Sequence, residues 1–149
     1  MAMAGPDALA YDLHVLVARL DASADAILRA TSGVTYRRFL ALLAVRDLGP
    51  TSQRAVADRL GITEPSVSRM TAVLASSDLL QVSPHPSGGN RRQLTLTDRG
   101  RTVVDSCASL LESRFADLVA ASGIDYAEYA GHTRRLVTAL SRGTSEGAA

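Results

Sequence analysis

The sequence has no lysine and no tryptophan, and it contains a single cysteine, Cys107. One cysteine cannot form an internal disulfide, and with three scattered histidines it makes no zinc-ligand spacing. Aromatic residues are only 4% of the chain, which argues against a stacking platform for single-stranded nucleic acid. We therefore expect an aliphatic core and neither a structural metal nor a cofactor.

Long apolar runs and catalytic motifs are also missing. The longest uninterrupted apolar run, 39–45, is too short to span a bilayer, and the first residues lack the charged and apolar regions of a signal peptide. No G-x-S-x-G, P-loop or H-E-x-x-H motif is present. These absences predict a cytoplasmic protein that does not enter a membrane and is not an enzyme.

Charge is distributed unevenly along the 149 residues, whose net charge is +1 and whose 46% apolar content is enough for one domain with a core. Residues 51–101 hold seven arginines against four acidic residues, whereas the rest holds nine arginines against eleven acidic residues. A basic middle suits a segment that faces phosphate. Because the acidic flanks also use arginine in place of lysine, the positions of the arginines are more informative than their number.

Residues 51–80, TSQRAVADRLGITEPSVSRMTAVLASSDLL, have the pattern of two helices joined by a glycine turn. Val56, Ala57 and Leu60 form the apolar face of the first helix, which ends at Gly61. Thr63 is the predicted N-cap of the second helix, Glu64–Ser76. The polar face of that helix suits a duplex groove and carries Glu64, Ser66, Ser68, Arg69 and Thr71. Such a helix pair also occurs as a plain packing unit.

A basic hairpin is predicted directly after this helix pair. Residues 80–83 and 94–96 alternate as strands do, and the loop SPHPSGGN between them contains two prolines and two glycines. Arg91 and Arg92 lie at the base of this two-stranded hairpin. A helix, a turn, a helix and a basic hairpin are together the plan of a winged helix, in which the hairpin can place an arginine in the minor groove.

Helices with long apolar stripes flank this region. The first stripe runs from Leu9 almost to Thr31, a buried helix follows over 35–47, and Thr97 is expected to cap a second long helix. Asp125 and Glu128 form a capping box for the last helix, and a disordered tail is expected from Arg142 onward. Long stripes of this kind can cover the core of their own chain or pack against a second copy.

The sequence resembles the MarR family of bacterial transcription regulators over nearly its whole length. The specific segments are PSVSRMTAVLASSDLL, which is similar to the family's recognition helix and first wing strand, and NRRQLTLTDRG, which is similar to its wing signature ending in Leu96, Thr97 and Gly100. The resemblance implies one mainly α-helical domain, 1–149, with a winged helix-turn-helix over 34–100 and dimerisation helices over 7–31 and 101–142. It also implies an obligate homodimer that binds a palindromic operator. In this family, small aromatic or phenolic ligands often release the protein from the DNA.

The resemblance implies that Ser66, Ser68 and Arg69 contact DNA through the recognition helix and that Arg92 is the wing arginine. Asn90 stands where the family usually has an aspartate, and the wing is about two residues short, so Arg91 is the alternative groove-reaching residue. Further phosphate contacts are predicted for Arg54 and Thr63. The expected function is a sequence-specific repressor of transcription, and the alternative is a winged helix that binds another protein.

Three other residues have an ordinary and a functional interpretation. Cys107 shares an apolar stripe with its neighbours, which predicts a buried and inert thiol rather than an oxidant sensor. His14 has no acidic or cysteine partner nearby in the sequence, which favours a plain exposed or partly buried histidine over a role in a ligand pocket. His85 lies in the wing loop, where it is either solvated or in contact with phosphate.

Overall fold

The computed structural model describes residues 8–146 and is mainly helical with one small antiparallel sheet. Its elements are, in chain order, α1 (Leu9–Thr31), α2 (Tyr36–Leu48), β1 (Thr51–Ser52), α3 (Gln53–Leu60), α4 (Glu64–Ser76), β2 (Leu80–Pro84), β3 (Arg92–Leu96), α5 (Asp98–Ala121) and α6 (Tyr126–Glu146). This order confirms the predicted winged helix between long helices. In the described part of the chain, no helix is long and apolar enough to cross a membrane.

The chain divides into two compact units, Met1–Ala108 and Ser109–Ala149. The first unit contains the helix pair, the sheet and a tightly packed aliphatic core. Its largest fully buried side chains come from six elements and are Leu28, Leu42, Val45, Val56, Val67, Thr71, Leu74, Leu94 and Val104. This burial explains the apolar stripes of the sequence, because each of these elements buries one face in the same core.

Local side-chain caps define the two helices of the pair. The hydroxyl of Ser52 accepts a hydrogen bond from the amide of Ala55 at 3.1 Å, and Thr63 caps α4 in the same way. Gly61 ends α3 in the left-handed conformation, with φ of 65°, which glycine adopts without a steric penalty. The predicted helix, glycine turn and helix are therefore confirmed.

The wing differs from the predicted two-stranded hairpin because a third strand joins it. The short strand β1 pairs antiparallel with β3, so the strand order is β1, β3, β2. Thr51 lies opposite Leu94 in this pairing, and the predicted start of the helix pair at Thr51 is therefore two residues early. A two-residue strand has no periodicity that a sequence could reveal, since a pairing partner some 40 residues away defines it.

A close contact joins the turn after α4 to the start of α5. Asp78 is a non-glycine residue with positive φ, 58°, and its carbonyl accepts a hydrogen bond from the Thr97 hydroxyl at 2.7 Å. The same hydroxyl accepts from the amide of Gly100 at 2.9 Å, which confirms Thr97 as the cap of α5. A Cβ atom built on Gly100 would overlap the carbonyl oxygen of Leu79. Gly100 is therefore the residue that lets α5 approach this turn.

The second unit is built around Phe115 of α5, whose ring lies 6.4 Å from the rings of both Tyr126 and Tyr129. The predicted cap is confirmed, because Asp125 Oδ1 accepts a hydrogen bond from the Glu128 amide at 2.8 Å. The expectation of a disordered tail from Arg142 onward is wrong as far as Glu146, where α6 ends. Residues 147–149 lie outside the described part.

Candidate nucleic-acid interface

A row of hydrogen-bonded polar side chains follows one face of α4. The hydroxyls of Thr63 and Ser66 are 2.9 Å apart, and the Arg69 guanidinium donates to the Ser66 hydroxyl at 3.3 Å. The three residues are spaced by three positions, so successive members share one side of the helix. Thr63 and Arg69 are exposed and Ser66 is half-buried. This row gives the helix a preformed line of donors and acceptors at the surface.

The remaining polar residues predicted on this face have two different environments. Glu64 and Ser68 are exposed, as a role in contacting a partner requires. Thr71 is only 1% exposed, and the prediction that it belongs to the polar face is wrong. Its hydroxyl donates to the carbonyl of Ser68 and accepts from the side chain of Gln53, which satisfies it inside the packing of α3 against α4. A side chain with these contacts cannot reach a partner.

The arginines predicted outside α4 are all exposed. Arg54 lies on α3, Arg91 is the last residue of the wing loop, and Arg92 begins β3 opposite Pro84. The Arg91 carbonyl accepts a hydrogen bond from the amide of His85 at 2.9 Å, which closes the base of the loop. Within residues 8–143, whose side chains are described, Asn90 makes no hydrogen bond to either wing arginine. Both wing arginines are therefore free of the side chain of Asn90.

Two residues of the wing loop hold its tip together. His85 Nδ1 accepts a hydrogen bond from the Ser87 amide at 3.1 Å, and it lies 2.6 Å from the Ser87 hydroxyl. The loop also closes through the Gly88 amide, which donates to the His85 carbonyl at 3.0 Å. His85 therefore has a structural contact inside the loop, and solvation and phosphate contact both stay predictions for its side chain.

An open cleft of about 740 Å³ lies beside the polar row, between α1, the start of α2 and the α3–α4 pair. Its floor includes Leu40, Leu60, Ile62 and Met70, and its polar residues are Asp21, Asp25, Arg29, Thr35, Tyr36, Arg37, Arg38, Ser66 and Arg69. Burial raises the pKa of the Tyr36 hydroxyl, and the charge of Asp21 adds to this shift. The sequence interpretation missed Arg37 and Arg38, although an adjacent arginine pair in the first turn of a helix was a visible signal.

Asp25 joins α1 to the first turn of α2. Its Oδ1 atom accepts a hydrogen bond from the amide of Tyr36 at 2.8 Å, and its Oδ2 atom accepts from the Arg29 guanidinium at 2.6 Å. The bond from Tyr36, followed by the bond from Arg29, lowers the pKa of the Asp25 carboxyl below its usual value. The ionised carboxylate therefore stabilises the fold.

We expect the substitution Asp25→Asn to lower the melting temperature at neutral pH and to have little effect in acid. Because the pKa of Asp25 is lowered in the folded protein, its carboxylate contributes fully to stability above about pH 4. This stabilisation is lost as the pH falls through the folded-state pKa. Thermal unfolding between pH 2 and pH 7 should show the wild-type and variant curves converging at low pH. Asp58→Asn, on an exposed part of α3, is the control, and a gap that persists in acid would contradict the assignment.

Two other residues have clear surroundings. Cys107 is buried, and its sulfur lies 3.6 Å from the Ser32 hydroxyl, which confirms the predicted buried thiol. His14 is exposed on α1. The described residues contain no group of three or more potential metal ligands.

Comparison with known proteins finds similarity to a family over the middle of the chain. A family model described as MarR family matches residues 32–93, which run from the end of α1 to the second position of β3. The transcriptional repressor NicR of Pseudomonas putida is 27% identical over 73 residues, which are 49% of this chain and 46% of NicR. The match therefore spans about half the length of this curated relative.

Solved structures share the fold over most of the chain. A MarR-family transcriptional regulator from Rhodococcus sp. RHA1 superposes with a TM-score of 0.80 at 16% identity, over 93% of this chain and 96% of that one. A mutant of Escherichia coli MarR, complexed with operator DNA, has a TM-score of 0.75 at 18% identity, over 90% and 94% of the two chains. The chain is therefore similar to the MarR family over residues 32–93, and it shares the winged-helix fold of these solved structures.

Proposed function

We propose that this protein is a cytoplasmic transcription regulator that binds duplex DNA in a sequence-specific way and does so without catalysis. The observation that carries the proposal is the hydrogen-bonded row of Thr63, Ser66 and Arg69 on α4, in the same compact unit as a wing with two exposed arginines. A helix with such a face fits the major groove, while the wing reaches the backbone or the adjacent minor groove.

The proposed contacts fall into two classes. Ser66, Ser68 and Arg69 contact base edges and therefore select the sequence. Phosphate contacts come from Thr63, Arg54, Arg91 and Arg92, which set the position of the protein on the duplex without reading it. The planar guanidinium of Arg69 is suited to the two hydrogen-bond acceptors of a guanine. Its bond to Ser66 restricts the side chain before binding, so less conformational entropy is lost when DNA binds.

We further propose that two copies act together. The apolar side chains of α6 support this, because Leu136, Val137 and Leu140 are at least 59% exposed in the single chain. Leu9, Tyr11 and Val17 on α1 are also more than half exposed. A two-fold dimer through helices 7–31 and 101–142 would present two reading helices to successive major grooves. The expected operator is a palindrome with half-sites about one helical turn apart.

The direction of regulation that we propose is repression, relieved by a small aromatic or phenolic effector. NicR, which is similar over half of the chain, is a repressor. Repression requires only that a bound dimer exclude other proteins from its operator. This needs no surface beyond the DNA-binding and dimer faces.

Selection of bound duplexes from a random pool at physiological salt tests the proposed function. We expect enrichment of one inverted repeat, and we expect the affinity of the winning duplex to fall steeply with added salt, because phosphate contacts release counterions. DNA recognition would be refuted if no motif were enriched and the affinity for duplexes did not change with salt concentration. That outcome would favour the alternative of a winged helix that docks a protein partner.

A further inference from the structure

The cleft beside α4 carries an excess of positively charged residues that extends beyond the proposed reading face. It is lined by four arginines against two aspartates, and one of those aspartates, Asp25, is already paired with Arg29. Among residues with described side chains, Arg37, Arg38 and Arg69 take part in no ion pair. Three guanidinium groups without an acidic partner therefore line one cleft. Such a cluster is a site for an anion.

We propose that this cleft seats a phosphate of the DNA backbone and that Arg37 and Arg38 are positioning residues for the duplex. The inference rests on the proposed function and extends the DNA-binding surface from α4 to α2. It assigns a role to two residues outside the reading helix and the wing. Arg37 is exposed and Arg38 is half-buried, so both are accessible to a bound duplex.

Side chains rather than backbone amides must make this contact. The amide of Tyr36 donates to Asp25 at 2.8 Å, and the amide of Arg38 donates to the Thr35 hydroxyl at 3.2 Å. Two of the first three amides of α2 are therefore already satisfied inside the protein. The guanidinium groups of Arg37 and Arg38 remain as donors, and the planar fork of a guanidinium matches two phosphate oxygens.

The position of the cleft selects a backbone phosphate as its occupant. Ser66 and Arg69 belong both to the proposed reading row and to the wall of the cleft. An occupant must therefore be compatible with a duplex lying against α4. When a helix lies in the major groove, the phosphates of the flanking DNA strand lie close to the neighbouring elements of the protein. A phosphate of the DNA backbone is therefore the anion that would be nearest to the cleft.

The first test is a salt titration of duplex binding by the variants Arg37→Gln, Arg38→Gln and the double variant. Each lost phosphate contact should reduce the slope of log K against log salt by about 0.9, and the affinity should fall by a similar factor for specific and unrelated duplexes. Arg101→Gln removes the same charge from an exposed position on α5 outside the cleft and should keep the wild-type slope. Unchanged thermal unfolding would show that the variants remain folded.

The second test replaces single phosphates of the operator duplex by neutral methylphosphonates. At one linkage beside the groove, the wild-type protein should lose about tenfold in affinity, as for a hydrogen bond to a charged group, whereas the double variant should be insensitive there. A double variant with the wild-type salt slope, or with the wild-type sensitivity at every linkage, overturns the inference alone. Failure of the wild-type protein to bind any duplex overturns both the inference and the proposed function.

Discussion

The variant Gly100→Ala is expected to be less stable than the wild type by about 3 kcal/mol, at the upper end of typical overpacking, and to melt roughly 10 °C lower. A Cβ atom at this position would overlap the carbonyl oxygen of Leu79 and lie 2.9 Å from the carbonyl carbon. Both atoms belong to the backbone, so no rotamer change relieves the overlap. The first turn of α5 would have to move away from the end of α4, which also breaks the hydrogen bonds of Thr97 to Asp78 and Gly100.

Gly131→Ala is the matched control for this measurement. Gly131 lies within α6, and a Cβ atom there meets no atom of the described residues within 4 Å. The same substitution should therefore be neutral or stabilise the protein by up to about 1 kcal/mol, because it reduces the freedom of the unfolded chain. Equal thermal and urea unfolding curves for Gly100→Ala and the wild type would show that the close approach of α5 to Leu79 is wrong.

Arg69→Ala should reduce the affinity for the selected operator by about 1 to 3 kcal/mol and relax the preference at one base pair of each half-site. Arg69 is the longest donor of the exposed row, and its guanidinium is held by Ser66 at 3.3 Å. Its removal would take away both of the proposed hydrogen bonds that the guanidinium donates to the base. The measurement is a titration with the operator and with its single-base variants.

Arg69→Lys separates charge from geometry at the same position. Lysine keeps the positive charge but has no planar fork, so the salt slope should stay close to that of the wild type while the base preference remains relaxed. If Arg69→Ala and Arg69→Lys both bind the operator with unchanged affinity and preference, the register proposed for the reading face of α4 is incorrect.

The helices of the winged-helix region could be predicted because their signals are local. Ser and Thr caps, the glycine turn and the apolar stripes lie within a few residues of the structure that they specify, and Gly61 and Thr63 have the predicted roles. The candidate reading residues followed in the same way, since helical spacing places Ser66 and Arg69 on one side. The same reasoning failed at Thr71, because periodicity defines a face but does not tell which edge of that face another helix covers.

The cleft could not be predicted from the sequence, for a related reason. Its walls come from three separate segments, and only their packing brings Arg37 and Arg38 into one cleft with Arg69. The arginine pair was visible as a pair, but its relevance depends on the neighbours that the fold supplies. The same holds for β1, which exists as a strand only because β3 pairs with it.

The sequence by itself determined the order of the helices, the hairpin of the wing, and the row of Thr63, Ser66 and Arg69, because caps, turns and hydrophobic periodicity act over one or two turns of chain. Only the tertiary structure decided that Thr71 is buried, that a third strand joins the wing, and that arginines of α2 and α4 share a cleft. It also supplied the reason for a glycine at position 100, where the backbone of Leu79 leaves no room for a side chain. These features depend on contacts between residues far apart in the chain, which local patterns do not encode.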